Sequence, residues 1–155
     1  MGPQMTSTVR SESFHVAGEQ VAATLHEAHL ALESYAEGDG GARALQQCAD
    51  ALHLVRGVLQ LLEIFGASLL AEEMELACEF LEDGTQSREL ANEAIEALSR
   101  AMVQLPAYIE RIVGGGRDIP LVLLPLSHPP GLLLGSKRPV LSMTYNAFLL
   151  FVWYS

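Results

Sequence analysis

The stretch of sequence that decides the fold is residues 49–65, ADALHLVRGVLQLLEIF. Together with the few residues before it, this stretch repeats apolar side chains at steps of three and four. The members of this stripe are Leu45, Cys48, Leu52, Val55, Leu59 and Leu62. Such spacing places them on one side of a helix with about 3.6 residues per turn. The sequence therefore predicts an amphipathic helix that buries the stripe.

His53 lies on the polar side of this predicted helix. At about 100° per residue, it stands roughly a quarter turn away from the apolar stripe. Its neighbours on the helical wheel are Gln46, Ala49, Gly57 and Gln60, with Asp50 and Arg56 at the margins. An exposed imidazole with a cation one turn on and a glycine beside it suits a side chain that accepts and gives up a phosphoryl group. The alternative is an ordinary solvent-exposed histidine.

Four helices, including this one, are predicted along the chain. Ala and Leu are abundant and β-branched runs are few before residue 112, which favours helix. We expect helices over about 14–37, 42–64 and 68–82, and a fourth that starts after a Ser87 cap and ends at the glycines of 114–116. Short connections between amphipathic helices predict an all-α fold, an antiparallel four-helix bundle.

Glycine and proline mark where these helices are expected to break. Residues 38–41, Gly-Asp-Gly-Gly, read as the first turn, and Gly84 as the stop of the third helix. Gly66 is expected to cap the end of the second helix. Pro106 is expected to kink the fourth helix, because it removes a backbone hydrogen bond and crowds the carbonyl of Met102.

The composition divides the chain into three parts. Residues 1–13 are polar and are expected to be a flexible N-terminus, and residues 14–118 form the predicted bundle. Residues 119–155 carry no acidic residue, several prolines and an apolar end, AFLLFVWYS. This irregular apolar tail has two main interpretations: it docks on a partner surface, or it is not native, through truncation or a shifted reading frame. A membrane anchor is a weaker third one, because 141–154 is too short to span a bilayer as a helix.

Charge and cysteine usage narrow the classes of partner. The formal net charge of −10 argues against nucleic acid and against anionic membrane surfaces. Cys48 and Cys78 fall within apolar helical patterns and are expected to be buried thiols, in keeping with a reducing compartment. His26 and His29 lack the further ligands of a metal site, so no metal or cofactor is predicted.

The third predicted helix has a strongly acidic surface. Its glutamates outside the apolar seam are Glu72, Glu73, Glu75, Glu79 and Glu82. A run of this kind is usually a solvated face, and the alternative is a surface that recruits a basic partner. The candidate partner-binding residues are Gln46, Asp50, Gln60, Glu72, Glu73 and Glu75.

The segment His53-Leu54-Val55-Arg56-Gly57 resembles the H-x-x-[KR]-G signature of histidine phosphotransfer domains. The longer run HLVRGVLQLLEIFGASLLAEEME and the later GGGRDIPLVLLPL resemble the N-terminal region of the ChpA/PilL chemotaxis-type hybrid histidine kinases. These kinases act in two-component systems that control type IV pili and twitching motility, and FimL-like scaffold proteins share the region. The resemblance covers about 14–126.

The resemblance implies a four-helix bundle, a bacterial cytoplasmic location, with the cell pole as a site of assembly, and CheY-like response regulators or polar-assembly proteins as partners. His53 corresponds to the phospho-acceptor, Arg56 to the family's cation and Gly57 to the small residue that leaves room for the regulator. One departure is Glu63, where phosphotransfer domains usually have a second glycine.

Two functional hypotheses remain. In the preferred one, the domain is a scaffold of phosphotransfer-like fold that binds response regulators. In the alternative, it is an active histidine phosphotransfer domain that relays phosphate through His53. The chain has no nucleotide-binding or kinase motif, so its only chemistry would be phosphotransfer within a histidine kinase system.

Overall fold

A computed structural model describes residues 4–117 of the chain, with side chains described from residue 7. The described part consists of four α-helices and contains no strand. They are α1 Gln4–Glu37, α2 Gly41–Leu61, α3 Phe65–Asp83 and α4 Arg88–Val113. The predicted all-α four-helix class is confirmed. The predicted tail, 119–155, lies outside the described residues.

The four helices pack as a closed ring around one core. Each helix packs on its neighbour in the chain, and α1 also packs on α4. Contacts between α2 and α3 show that these two helices run antiparallel. Cys48 meets Cys78, His53 meets Glu75 and Arg56 meets Glu72, so the residue number rises along α2 as it falls along α3. The α2–α3 side and the α1–α4 side are therefore opposite sides of the bundle.

The core confirms the predicted apolar stripes. In α2 all members of the stripe are buried except Leu62, which is partly buried against the core. The α3 residues of the core include Leu70, Met74, Ala77 and Leu81, and those of α4 include Leu98, Met102, Leu105 and Tyr108. Leu52 and Leu59 are fully buried at the centre of the bundle. No helix within 4–117 combines the length and the apolar character needed to cross a membrane.

The first helix is longer than predicted. It begins at Gln4, whereas the sequence predicted a start near Phe14, and residues 4–13 are helical rather than irregular. No glycine or proline occurs between Gln4 and Ser13, so nothing in the sequence stops the helix once it has started. Local contacts support this segment: Arg10 lies over the ring of Phe14 at 5.8 Å, and the Ser13 hydroxyl donates to the Val9 carbonyl at 2.8 Å.

The end of α2 is also different from the prediction. Gly66 does not cap α2, because it is a buried residue inside α3. The helix ends at Leu61, and Glu63 takes the left-handed conformation with φ 59°. The Glu63 N–H donates to the Gln60 carbonyl at 3.1 Å and the Ile64 N–H to the Leu59 carbonyl at 3.0 Å. These are the two hydrogen bonds of a Schellman motif, in which glycine is the usual left-handed residue.

The end of α3 and both ends of α4 agree with the sequence, whereas α3 begins at Phe65, three residues before its predicted start. Gly84 ends α3 in the left-handed conformation, with φ 66°. The Ser87 side chain accepts a hydrogen bond from the Leu90 N–H at 3.3 Å and caps α4 as predicted. This helix continues through Pro106 and ends before Gly114.

Candidate functional site

His53 stands on the outer side of α2, as predicted. Its side chain is 68% exposed, and its Nδ1 lies 2.8 Å from Oε1 of Glu75 on α3. Arg56 Nη2 lies 3.2 Å from the same Nδ1. The ring nitrogen cannot donate to the carboxylate and accept from the guanidinium at once. We assign the proton to Nδ1, because otherwise its lone pair would face the carboxylate at the shorter distance.

This assignment determines the chemistry of the other ring nitrogen. With the proton on Nδ1, the neutral imidazole has its lone pair on Nε2. Nε2 has no hydrogen-bond partner among residues 4–117. The nucleophilic nitrogen of His53 is therefore free, and the ring is held in place from its other side.

Glu75 joins the histidine and the arginine. One of its oxygens accepts a hydrogen bond from Nδ1–H of His53, and the other lies 2.8 Å from Nη1 of Arg56. The Glu75 side chain is only 13% exposed, so removal of either partner would leave a largely buried carboxylate less well compensated. Glu72 adds a longer contact to Nη1 of Arg56, at 3.7 Å. The result is a bridged cluster that fixes the side chains of both His53 and Arg56.

A polar concavity of about 370 Å³ opens beside this cluster, between α2 and α3. It is lined by Gln46, Ala49, Asp50, His53, Arg56, Glu72, Glu75, Leu76 and Glu79. Gln46 Nε2 donates to Asp50 Oδ1 at 2.9 Å. Four carboxylates line the concavity against one arginine, so its local charge is negative. Of the predicted site residues, Gln46, Asp50, Glu72 and Glu75 are brought together with His53 and Arg56.

The other predicted site residues lie outside the concavity. Gly57 follows Arg56 on α2, and a Cβ added there would meet no atom within 4 Å. Gln60 is exposed about two turns beyond His53. Glu63 is exposed in the connection after α2, so it does not line the concavity.

Glu73 differs from its neighbours on α3. Burial, followed by the charge of Glu72, raises the pKa of Glu73 to about 7. One of its carboxylate oxygens, Oε2, is buried and has no hydrogen-bond partner among residues 4–117. The folded protein therefore favours the protonated form of this side chain more than the unfolded chain does.

Exposed apolar side chains accompany the concavity. Leu54 is 64% exposed and Leu61 85% exposed, one heptad apart on the outer side of α2. Gly57 lies between them on this side. We call the concavity together with Leu54, Gly57 and Leu61 the His53 face. The sequence analysis did not single out these leucines, although their position opposite the buried stripe was readable from helical periodicity.

Beneath the His53 face lie the two cysteines. Cys48 and Cys78 are free and buried, as predicted, with their sulfur atoms 3.6 Å apart. The hydrogen bond to Cys48, together with burial, raises the pKa of the Cys78 thiol well above its usual range. A protonated, buried thiol is a poor nucleophile. No group of three or more His, Cys, Asp or Glu side chains within 4–117 is arranged to hold a metal ion.

Fold and site together define a four-helix bundle domain with a fixed, exposed histidine on its surface. The chain is 31% identical over 125 residues to the scaffold protein FimL of Pseudomonas aeruginosa. The match covers 80% of this chain and 20% of FimL, so the chain spans about a fifth of the length of the curated relative it matches. No family model matches the chain, and no solved structure matches it significantly.

The similarity supports the FimL-like scaffold resemblance that the sequence indicates. It does not test the placement within the ChpA/PilL kinases or the phosphotransfer role of His53, which stay predictions.

Proposed function

We propose that this domain is a signalling scaffold module of a bacterial chemotaxis-type two-component system that controls type IV pili and twitching motility. Its partners would be CheY-like response regulators or polar-assembly proteins, in the cytoplasm and at the cell pole. The similarity to the scaffold protein FimL supports the scaffold role.

The observation that carries the proposal is the composition of the His53 face. Exposed leucines, Leu54 and Leu61, lie beside a polar concavity rimmed by Asp50 and Glu72. Apolar side chains with a polar rim are typical of protein–protein interfaces. Open space above Gly57 leaves room for a partner to approach the backbone of α2.

The charge of the concavity favours a partner with basic side chains. Its acidic residues on α3 are Glu72, Glu75 and Glu79, and Asp50 adds a fourth carboxylate from α2. Long-range attraction between such a surface and a basic one raises the association rate at low salt. We therefore expect binding to weaken as ionic strength rises.

A binding titration with a CheY-like regulator of the same bacterium tests this function. Leu54→Asp and Glu72→Lys should each weaken the affinity about tenfold or more, because the first removes exposed apolar surface and the second reverses a charge that attracts a basic partner. Glu93→Lys is the matched control, since Glu93 is an exposed glutamate on α4. Equal weakening by all three variants, or by none, would contradict the proposed surface.

A second function, histidine phosphotransfer, is favoured by the contact between His53 Nδ1 and Glu75. Nε2 of His53 would attack the phosphorus of a receiver's aspartyl phosphate. A nitrogen–phosphorus bond forms, the acyl oxygen–phosphorus bond breaks, and the aspartate leaves as a carboxylate. Glu75 would stabilise the positive charge that develops on the imidazole. Arg56, held on the Nδ1 side, would offset charge on the phosphoryl oxygens at a distance, without contacting them.

The departure at Glu63 does not weigh against this second function. Its place in the α2–α3 connection keeps its charge away from the lining of the concavity. Its positive φ also gives a backbone reason for glycine at this position in related domains.

Mixing the full chain with a labelled phospho-receiver separates the two functions. Transfer predicts an acid-labile, base-stable label on this chain, absent in His53→Gln and formed more slowly in Glu75→Gln. Scaffold binding alone predicts no label on the wild-type chain or on His53→Gln.

A further inference from the structure

A second concave surface lies on the opposite side of the bundle, between α1 and α4. It has a volume of about 390 Å³. Its apolar lining consists of Phe14, Gly18, Ala22, Pro106, Ile109 and Val113. Glu19 and Glu110 also line it and carry its only carboxylates among the described residues. We call this surface the α1–α4 groove.

The groove is open because of two residues that have little or no side chain. A Cβ at Gly18 would lie 3.9 Å from Cγ2 of Ile109, an ordinary contact, so close helix packing does not require a glycine there. Ala22 lies one turn further along α1, and its small side chain leaves the groove open there as well. Apolar surface left uncovered in this way is unfavourable in water.

The backbone leaves α4 at one end of the groove. Gly114 lines the groove, and Gly115 takes the left-handed conformation with φ 98°. The Gly115 N–H donates to the Ile112 carbonyl at 3.0 Å, and the Gly116 N–H to the Arg111 carbonyl at 2.8 Å. These are the two hydrogen bonds of a Schellman motif, which stops the helix. A Cβ at Gly116 would lie 2.7 Å from the Arg111 carbonyl, so this turn requires glycine.

The sequence that follows this turn matches the groove chemically. Residues 119–126, IPLVLLPL, contain six aliphatic residues, two prolines and no charge. Prolines in an apolar stretch favour an extended backbone over helix. Phe14 to Ala22 measures about 12 Å along α1, and about four extended residues cover that length.

We propose that the α1–α4 groove is the docking site for this chain's own residues 119–126, with Leu121 to Leu124 against Gly18 and Ala22. The short connection from Gly116 gives the segment a high effective concentration at the groove. A second copy of the chain lacks this advantage. This inference does not depend on the function proposed for the His53 face.

Photo-cross-linking in the full chain tests the proposal directly. His15→p-benzoylphenylalanine places the probe at the rim, since His15 lines the groove and its side chain is 73% exposed. The control is Ala23→p-benzoylphenylalanine, at an exposed position of α1 that does not line the groove. A mixture of isotopically light and heavy chains separates links within one chain from links between two.

The expected result is a link from position 15 to 119–126 within one chain, and none from position 23. Links that join light and heavy chains would identify a second copy as the occupant and overturn the proposal. The absence of any link to 119–126, or equal links from both positions, would overturn it too.

Hydrogen exchange in the full chain provides an independent measurement. Leu123→Asp should speed amide exchange in residues 14–22 at least about tenfold, because it removes the cover from this part of α1. Leu132→Asp, the same change outside the segment, should leave that exchange unaltered. Equal exchange in both variants would contradict the proposal. The cross-linking experiment does not use these two variants, so its result does not depend on whether they fold.

Discussion

The His53 face and the α1–α4 groove are surfaces of one bundle, yet they differ in what lines them. The first is built from charged side chains that hold one another, with Glu75 bridging His53 and Arg56. The second is built from small and apolar side chains such as Gly18 and Ile109. A charged surface with fixed side chains is typical of a transient interaction, whereas an apolar groove is typical of a permanent one.

Both surfaces are built on the same hydrophobic core. A substitution in this core is therefore expected to cause the largest loss of stability. Leu52→Asp should destabilise the fold by about 4 kcal/mol or more, because Leu52 is fully buried and the new charge would have no partner. Thermal unfolding followed by circular dichroism measures this. Gln60→Ala, an exposed change on the same helix, should stay within about 0.5 kcal/mol. Cooperative melting of Leu52→Asp at the wild-type temperature would show that α2 is packed differently.

The bridged cluster of the His53 face should contribute more to stability than an exposed ion pair. Arg56→Ala leaves the mostly buried Glu75 without its cation and should cost about 1–2 kcal/mol. The control is Arg100→Ala, because Arg100 pairs with Glu96 one turn away on α4 and both side chains are more than half exposed. That change should cost less than about 0.5 kcal/mol. Urea unfolding compares the two, and equal losses would mean that the cluster is solvated.

A substitution in the connection that follows α2 should increase the stability of the fold. Glu63→Gly should raise stability by up to about 1 kcal/mol, because glycine adopts the positive φ of this residue without steric strain. Gly84→Ala should lower stability by a similar amount at the equivalent position after α3. Chemical denaturation of both variants measures these effects. A destabilised Glu63→Gly would show that the Glu63 side chain makes a favourable contact.

A pH-dependent effect is expected at Glu73, outside the His53 face. Its pKa is raised from 4.5 to about 7, so the folded state binds this proton more tightly than the unfolded state. The stability contributed by the protonated form is present below about pH 4.5 and is lost as pH rises through about 7. Glu73→Gln should remove this dependence.

The measurement is the difference in unfolding free energy between wild type and Glu73→Gln at pH 4.5, 6 and 8. The variant should gain stability relative to wild type as pH rises. A constant difference would mean that Glu73 has the same pKa in the folded and the unfolded protein.

The sequence predicted the parts of the fold that depend on local pattern. Periodicity identified the buried side of α2, and the Ser87 cap and Gly84 stop were correct because their chemistry is local. Helix boundaries failed where the local signal was missing or misleading. Gln4 starts α1 without a distinctive cap, and Glu63 occupies a position where glycine was expected.

The site was only partly predictable for a related reason. Periodicity placed His53 on the outer side of α2, but its partner Glu75 lies 22 residues away on another helix. Only the register between α2 and α3 brings the two together. Glu73 and Glu75 are alike in sequence, and packing alone makes one unpaired and the other doubly paired.

The central claim is that partners bind the His53 face. The most direct measurement is a nuclear magnetic resonance titration of the isotopically labelled full chain with an unlabelled CheY-like regulator. We predict chemical-shift changes concentrated at His53, Leu54, Gly57 and Leu76, with the α1–α4 groove unaffected. Saturable changes confined to Gly18, Ala22 and the rest of that groove, with the His53 face unchanged, would contradict the claim.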